Sequence, residues 1–125
     1  MTKSKIGYVD GFVLSVPKKN IAKYKKMAQL GARIWKKYGA LDYKECVIDD
    51  SRPKGIVFPF PKMINAKPNE IVVFSYIAYK SKAHRDAVNK KVMKDPEMND
   101  PSFSHDDMPF DMKRFAHGGF KVLVD

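Results

Sequence analysis

The chain has 125 residues, of which 44% are hydrophobic and 30% charged, a composition typical of a folded globular protein and too apolar for intrinsic disorder. Its length predicts a single domain over residues 1–125. No apolar run approaches the roughly 20 residues that cross a bilayer, and the opening MTKSKIGYVDGF lacks the apolar stretch of a signal peptide. Because Cys46 is the single cysteine, no internal disulfide can form. We therefore expect a cytoplasmic protein with no membrane partner.

The net charge of +10 arises from 20 lysines and four arginines against 14 acidic residues. Proteins that read base edges or hold phosphates with paired hydrogen bonds favour arginine, so a lysine-rich surface is a weak indication of nucleic-acid binding. The segment VPKKNIAKYKKMAQLGARIWKKYG does concentrate lysines, which leaves non-specific attraction to phosphate open. Nucleic-acid binding is therefore the least favoured of the functions considered.

The N-terminal part of the chain predicts a strand followed by a helix. Residues 8–16, YVDGFVLSV, are rich in aromatic and β-branched side chains and are followed by Pro17. Asn20 suits the N-cap of a helix that runs to Tyr38 and ends at Gly39. The apolar residues of this helix lie close to one stripe, with lysines opposite.

The remaining elements give the chain the order β-α-β-β-α-β. They are a strand from Tyr43 to Asp49, a strand from Glu70 to Lys80, a helix capped by Ser81 that runs to about Lys94, and a last strand over 119–125, entered through 115–117. A turn-rich connection with several prolines precedes Glu70. This order predicts an α+β protein with a ferredoxin-like split β-α-β fold and an antiparallel sheet.

The third strand, EIVVFSYIAYK, is apolar on both of its faces. One face carries Ile71, Val73 and Ile77, and the other carries Val72, Phe74, Tyr76 and Ala78. A strand of this kind is normally covered on both sides, but two helices can cover only one face of such a sheet. We therefore predict a homodimer in which the sheets of two copies face each other under two-fold symmetry.

Three stretches carry a resemblance to a known family: YVDGFVLSVPK, KPNEIVVFSYIAYKSKAHRDAVNKKVMKDPEM and MPFDMKRFAHGGF. Together they resemble the YbaA-like family of uncharacterised bacterial proteins. The resemblance implies a dimeric α/β barrel, a superfamily that includes cofactor-free monooxygenases, haem-degrading enzymes and small-molecule-binding domains. It implies no particular reaction, because one fold supports many. Met112 and His117 replace the glycine and tyrosine expected from the family pattern, so the resemblance gives His117 no shared role.

The polar residues that best fit a ligand site are Tyr8, Asp10, Tyr76, Asp111 and Arg114. We expect them to line a pocket between the sheet and the C-terminal loop. Asp10 interrupts an apolar strand, and a buried carboxylate there needs a partner such as Arg114, Lys113 or a backbone amide, or it stays neutral.

Asp111 has two interpretations. It could act as a general base, with Arg114 binding an anion and His117 carrying a proton. Alternatively, Asp111 caps a turn and pairs with Lys113 or Arg114, while Gly118 and Gly119 permit a bulge or a close strand approach.

No cofactor is expected. His105, Asp106, Asp107 and Asp111 could approach His84 or His117, but their spacing matches no zinc or calcium loop. Phosphate-loop, dinucleotide and nucleophile-elbow motifs are absent from the sequence. Cys46 is expected to be a small buried apolar residue rather than a reactive thiol.

These patterns lead to two main functional hypotheses. The first is a homodimer that binds or senses an unidentified small molecule. The second is a cofactor-independent enzyme, resembling monooxygenases or isomerases, with Asp10 or Asp111 as general base. An enzyme would need an acid or a histidine within hydrogen-bond reach of a mostly apolar cavity.

Overall fold

The computed structural model describes residues 5–104 and 108–125. Its helices and longer strands are β1 (Tyr8–Pro17), α1 (Ile21–Lys37), β2 (Asp42–Val47), α2 (Phe60–Met63), β3 (Glu70–Tyr79), α3 (Lys82–Met93) and β4 (Ala116–Lys121). The protein is α+β, as predicted, and its main elements follow the predicted order. The added helix α2 lies in the proline-rich connection, where a proline in the first turn costs no helical hydrogen bond.

The four strands form one antiparallel sheet in the order β2-β3-β1-β4. The two central strands pair from Tyr8 opposite Tyr79 to Pro17 opposite Glu70. The edge strands are shorter. Strand β4 ends at Lys121, which lies opposite Tyr8, the first residue of β1. The predicted end of this strand at Asp125 is therefore wrong.

Helices α1 and α3 pack on one face of the sheet, called here the helix face. Alternation along β1 and β3 directs every second side chain to this face. The buried residues form two clusters: Leu14, Val16, Val73, Tyr24 and Ala28 in one, and Ile34, Ile77, Tyr79, Val88 and Val92 in the other. The first cluster joins α1 to both central strands, and the second joins α1 and α3 to β3, with Tyr8 and Phe12 of β1 packed against it.

The opposite face, called here the outer face, carries the alternate side chains. Phe74 of β3 is 46% exposed and Phe120 of β4 is 61% exposed. Cys46, which lies opposite Phe74 on this face, is also exposed. The prediction that Cys46 is buried is therefore wrong, because its side chain lies on the outer face of an edge strand.

Asn20 precedes α1 as predicted, but its side chain does not cap the helix. Its amide nitrogen instead donates to the carbonyl oxygen of Pro109, at 3.1 Å. Ser81 does cap α3, by accepting a hydrogen bond from the backbone N–H of His84. In the part of the chain that the structure describes, no helix is long and apolar enough to span a membrane.

Candidate functional site

One row of side chains crosses all four strands on the helix face. Strand pairing aligns Glu45 with Ser75, Ser75 with Phe12, and Phe12 with His117. The imidazole of His117 stacks on the ring of Phe12, with ring centroids 4.8 Å apart. Register alone therefore brings an acid, a hydroxyl and two rings from four strands into line.

A cavity of about 280 Å³ lies over this row, between the sheet, α1 and the C-terminal segment (residues 108–115). We call it the aromatic cavity. It is lined by Phe12, Tyr24, Met27, Trp35, Tyr43, Glu45, Ser75, Ile77, Phe103, Met108, Phe110, Met112 and Phe115. Its walls are predominantly aromatic rings and methionines, as in many sites for small organic molecules.

Of the described residues that line the aromatic cavity, Glu45 is the acidic one. One carboxylate oxygen accepts a hydrogen bond from the Tyr24 hydroxyl at 2.6 Å, and the other accepts from the Tyr43 hydroxyl at 2.8 Å. Burial raises the pKa of both phenols, and the neighbouring carboxylate raises their pKa further. Both tyrosines therefore stay protonated and act as donors to Glu45.

A second cavity, of about 390 Å³, lies between α1 and β2. Tyr24, Tyr43 and Glu45 line it as well, together with residues such as Lys25 and Gln29. The hydrogen-bonded Tyr24–Glu45–Tyr43 group thus borders both cavities.

The C-terminal segment is held over the aromatic cavity by specific contacts. The Asn20 amide binds the Pro109 carbonyl, and Pro109 is buried. Phe110 packs edge-on against Tyr24 and stacks on Phe115, with ring centroids 5.8 and 5.6 Å apart. The sequence MPFDMKRF therefore forms one wall of the cavity.

Asp111 and Arg114 lie together but do not line this cavity. Asp111 accepts from the backbone N–H of Lys113 at 2.9 Å, which lowers the pKa of its carboxyl, and it also accepts from Arg114. Arg114 donates to both oxygens of Glu70, at 2.7 Å each. These hydrogen bonds hold the pKa of Glu70 at about 2.

Asp10 is buried on the helix face, and its partner is Arg85 of α3 at 2.8 Å rather than Arg114 or Lys113. Burial raises the pKa of Asp10, and the Arg85 charge offsets part of that rise. The guanidinium of Arg85 also lies over the ring of Tyr8, 5.1 Å from its centroid. Asp10 thus neutralises Arg85 within the core.

Tyr76 lies on the outer face, where its hydroxyl donates to Asp42 at 2.8 Å. The five residues predicted to bind a ligand therefore fall into three groups. Tyr8 lies with Asp10, Asp111 lies with Arg114, and Tyr76 is separate from both. As ligand contacts they stay predictions.

Comparison with known proteins gives the family. A family model described as "Protein of unknown function (DUF1428)" matches residues 7–112. The chain belongs to this family. It is 46% identical over 118 residues to the "Uncharacterized protein YbaA" of Escherichia coli strain K12, covering 94% of this chain and 97% of that protein. The YbaA of Shigella flexneri matches equally. The predicted resemblance to YbaA-like proteins is confirmed.

Sequence reasoning missed Glu45. The reasoning applied to Asp10, that an acid inside a strand needs a partner, also applies to an acid between Lys44 and Cys46. Alternation places Glu45 on the same face as Tyr43, which was the available signal. The two tyrosine partners depend on the packing of α1 and could not be read from β2 alone.

Within residues 5–104 and 108–125, no group of three or more His, Cys, Asp or Glu side chains could hold a metal ion. His105, Asp106 and Asp107, which prompted the question of a metal site, lie outside the described residues. His84 uses its Nδ1 to accept from the backbone N–H of Lys80 at 2.9 Å.

Proposed function

We propose that this protein of unknown function is a small-molecule binding or sensing domain and that its ligand occupies the aromatic cavity. The observation that carries the proposal is a mostly apolar cavity in which, among the described residues, one carboxylate, Glu45, is held at the edge by two tyrosines. Ligand sites commonly combine apolar walls with a few fixed polar groups that orient the ligand. A volume of about 280 Å³ suits a compact molecule with one ring.

The chain provides its own probe of binding. Trp35 is the single tryptophan and lines the aromatic cavity, so a ligand there should change its fluorescence. A screen of small aromatic metabolites should yield compounds that shift both this fluorescence and the melting temperature. Ser75 lies on β3 and lines the cavity, so the larger side chain of Ser75→Leu should fill it and abolish the fluorescence change. The control Ser51→Leu, in the exposed connection before β3, should preserve the change. Binding that survives Ser75→Leu would contradict the proposed site.

We further propose that the protomer is ferredoxin-like and assembles as a dimeric α/β barrel. The element order and the antiparallel strand order β2-β3-β1-β4 support the first part. The exposed Phe74 and Phe120 on the outer face support the second, because a second copy would cover them. Light scattering at micromolar concentration should give twice the monomer mass, and a stable monomer would refute the dimer.

A cytoplasmic location is proposed as well, supported by the lone cysteine.

A cofactor-independent enzyme is the second candidate, and the position of Glu45 favours it. A carboxylate within hydrogen-bond reach of an apolar cavity can act as a general base. Asp10 and Asp111, the bases first considered, are instead engaged by Arg85 and by Lys113 and Arg114. Compounds found to bind should then be incubated with the protein and followed by mass spectrometry and by proton NMR, which distinguishes isomers of equal mass. A chemical change that Glu45→Gln abolishes supports catalysis, and quantitative recovery of every bound compound unchanged contradicts it.

A further inference from the structure

The Glu45 carboxyl group lies between two phenols. Each of its oxygens accepts a hydrogen bond from a phenol, Tyr24 on one side and Tyr43 on the other. A carboxyl group has about four lone-pair sites on its two oxygens, so Glu45 can accept further hydrogen bonds from a ligand.

The side-chain partners of Glu45 differ in charge from those of three buried acids of this protein. Three buried carboxylates each pair with a cation: Asp10 with Arg85 at 2.8 Å, Glu70 with Arg114 at 2.7 Å, and Asp95 with Lys37 at 3.0 Å. Across the described ranges 5–104 and 108–125, Glu45 instead accepts hydrogen bonds from the neutral hydroxyls of Tyr24 and Tyr43. A half-buried carboxylate beside apolar walls gains most from a partner that brings a positive charge.

The walls of the aromatic cavity suit the same charge. The faces of aromatic rings carry negative electrostatic potential and attract ammonium groups, most strongly where water is excluded. Phe12, Trp35, Tyr43, Phe110 and Phe115 all line the cavity that Glu45 borders. Aromatic walls combined with one carboxylate are the composition that recognises organic cations.

We propose that the ligand of the aromatic cavity is a small organic cation, an amine or quaternary ammonium with an apolar or aromatic substituent, whose charged nitrogen binds the Glu45 carboxylate. This inference rests on the proposed small-molecule binding function and specifies its ligand class. The net charge of +10 opposes the binding of a cation only weakly. At physiological salt, surface charges more than about 8 Å away are largely screened, whereas Glu45 would contact the ligand directly.

Three probes of similar size separate charge from shape: benzylammonium, neutral benzyl alcohol and anionic benzoate. Titrations near neutral pH, followed by Trp35 fluorescence, should show benzylammonium binding about tenfold more tightly than benzyl alcohol, and benzoate binding most weakly. Glu45→Gln keeps the shape of the side chain and removes its charge, so it should bring benzylammonium and benzyl alcohol to within about twofold. Glu97→Gln, a surface glutamate paired with Arg33, is the matched control and should leave the preference unchanged.

The outcomes distinguish this inference from the function on which it rests. Equal binding of benzylammonium and benzyl alcohol, or tighter binding of benzoate, would overturn the cation inference and leave a small-molecule site standing. A cation preference that persists in Glu45→Gln would also overturn it. If none of the probes changes Trp35 fluorescence or the melting temperature, the binding function and the ligand class fail together. The comparison on the unaltered protein decides the matter even if Glu45→Gln folds poorly.

Discussion

At the scale of single residues, the Arg114–Glu70 ion pair makes the first testable prediction. Arg114 donates two hydrogen bonds to a Glu70 side chain that is only 4% exposed. Arg114→Ala leaves that carboxylate buried without its cation, so the free energy of unfolding should fall by about 3 kcal/mol at neutral pH. Urea denaturation measures the loss. Arg33→Ala, which removes a solvent-exposed pair with Glu97, is the control and should cost about 1 kcal/mol or less.

The same pair predicts a dependence on pH. The pKa of Glu70 is lowered from its ordinary value of 4.5 to about 2 in the folded protein. A lowered carboxyl pKa stabilises the folded state fully above the unfolded value of 4.5, and this contribution is lost as the pH falls towards about 2. The stability difference between the unaltered protein and Arg114→Ala should therefore shrink between about pH 5 and pH 2. A difference that stays constant over this range would contradict the assigned pairing.

The adjacent glycines Gly118 and Gly119 predict unequal responses to the same substitution. A Cβ at Gly119 would overlap the hydroxyl and ring of Tyr8, whereas a Cβ at Gly118 would make ordinary contact with the Phe120 ring at 3.5 Å. Gly119→Ala should therefore lower the free energy of unfolding by about 2 kcal/mol, and Gly118→Ala by less than about 1 kcal/mol. Thermal or urea unfolding of the two variants tests this, and equal effects would refute the role assigned to Tyr8.

At the scale of secondary-structure elements, Asn20 and Ser81 both occupy N-cap positions, of α1 and α3, but their side chains make different hydrogen bonds. Asn20 precedes α1 but binds the C-terminal segment through the Pro109 carbonyl, whereas Ser81 caps α3. Asn20→Ala should therefore speed amide hydrogen exchange in residues 108–115 more than in the first turn of α1. Ser81→Ala should loosen the first turn of α3 and cost about 1 kcal/mol of stability.

Hydrogen exchange measured by mass spectrometry on both variants separates these outcomes. If Asn20→Ala instead exposes α1 and leaves residues 108–115 protected, the anchoring role of Asn20 is wrong. Because the C-terminal segment forms a wall of the aromatic cavity, Asn20→Ala should also weaken any ligand that changes Trp35 fluorescence.

At the scale of the whole molecule, the outer face makes a prediction about assembly. Phe74 is exposed there, and in the proposed dimer it would lie at the interface between sheets. Phe74→Asp would place a carboxylate without a partner in that interface, which costs several kcal/mol, so the protein should become monomeric at micromolar concentration. Met93→Asp, at a comparably exposed position on α3, should leave the dimer intact. Light scattering distinguishes the two, and unchanged assembly of Phe74→Asp would contradict the proposed interface.

The sequence predicted most of the elements because their signals are local. The two-sided apolar pattern of β3 and the apolar stripe of α1 follow from spacings within one element. The end of β4 was predicted four residues too late, because its length depends on where β1 begins. The prediction that Asn20 caps α1 is wrong for a similar reason, because its side chain donates to the carbonyl of Pro109, 89 residues away.

The sequence by itself determined the α+β class, the element order and the family, because periodicity, turn residues and shared motifs are properties of neighbouring positions. The tertiary structure decided which polar side chains meet. Strand register and helix packing brought Arg85 to Asp10 and Tyr24 to Glu45, across separations of 75 and 21 residues. Glu45 is a candidate site because its carboxylate borders an apolar cavity and is bound by neutral hydroxyls. That environment forms only when the sheet, α1 and the C-terminal segment pack together.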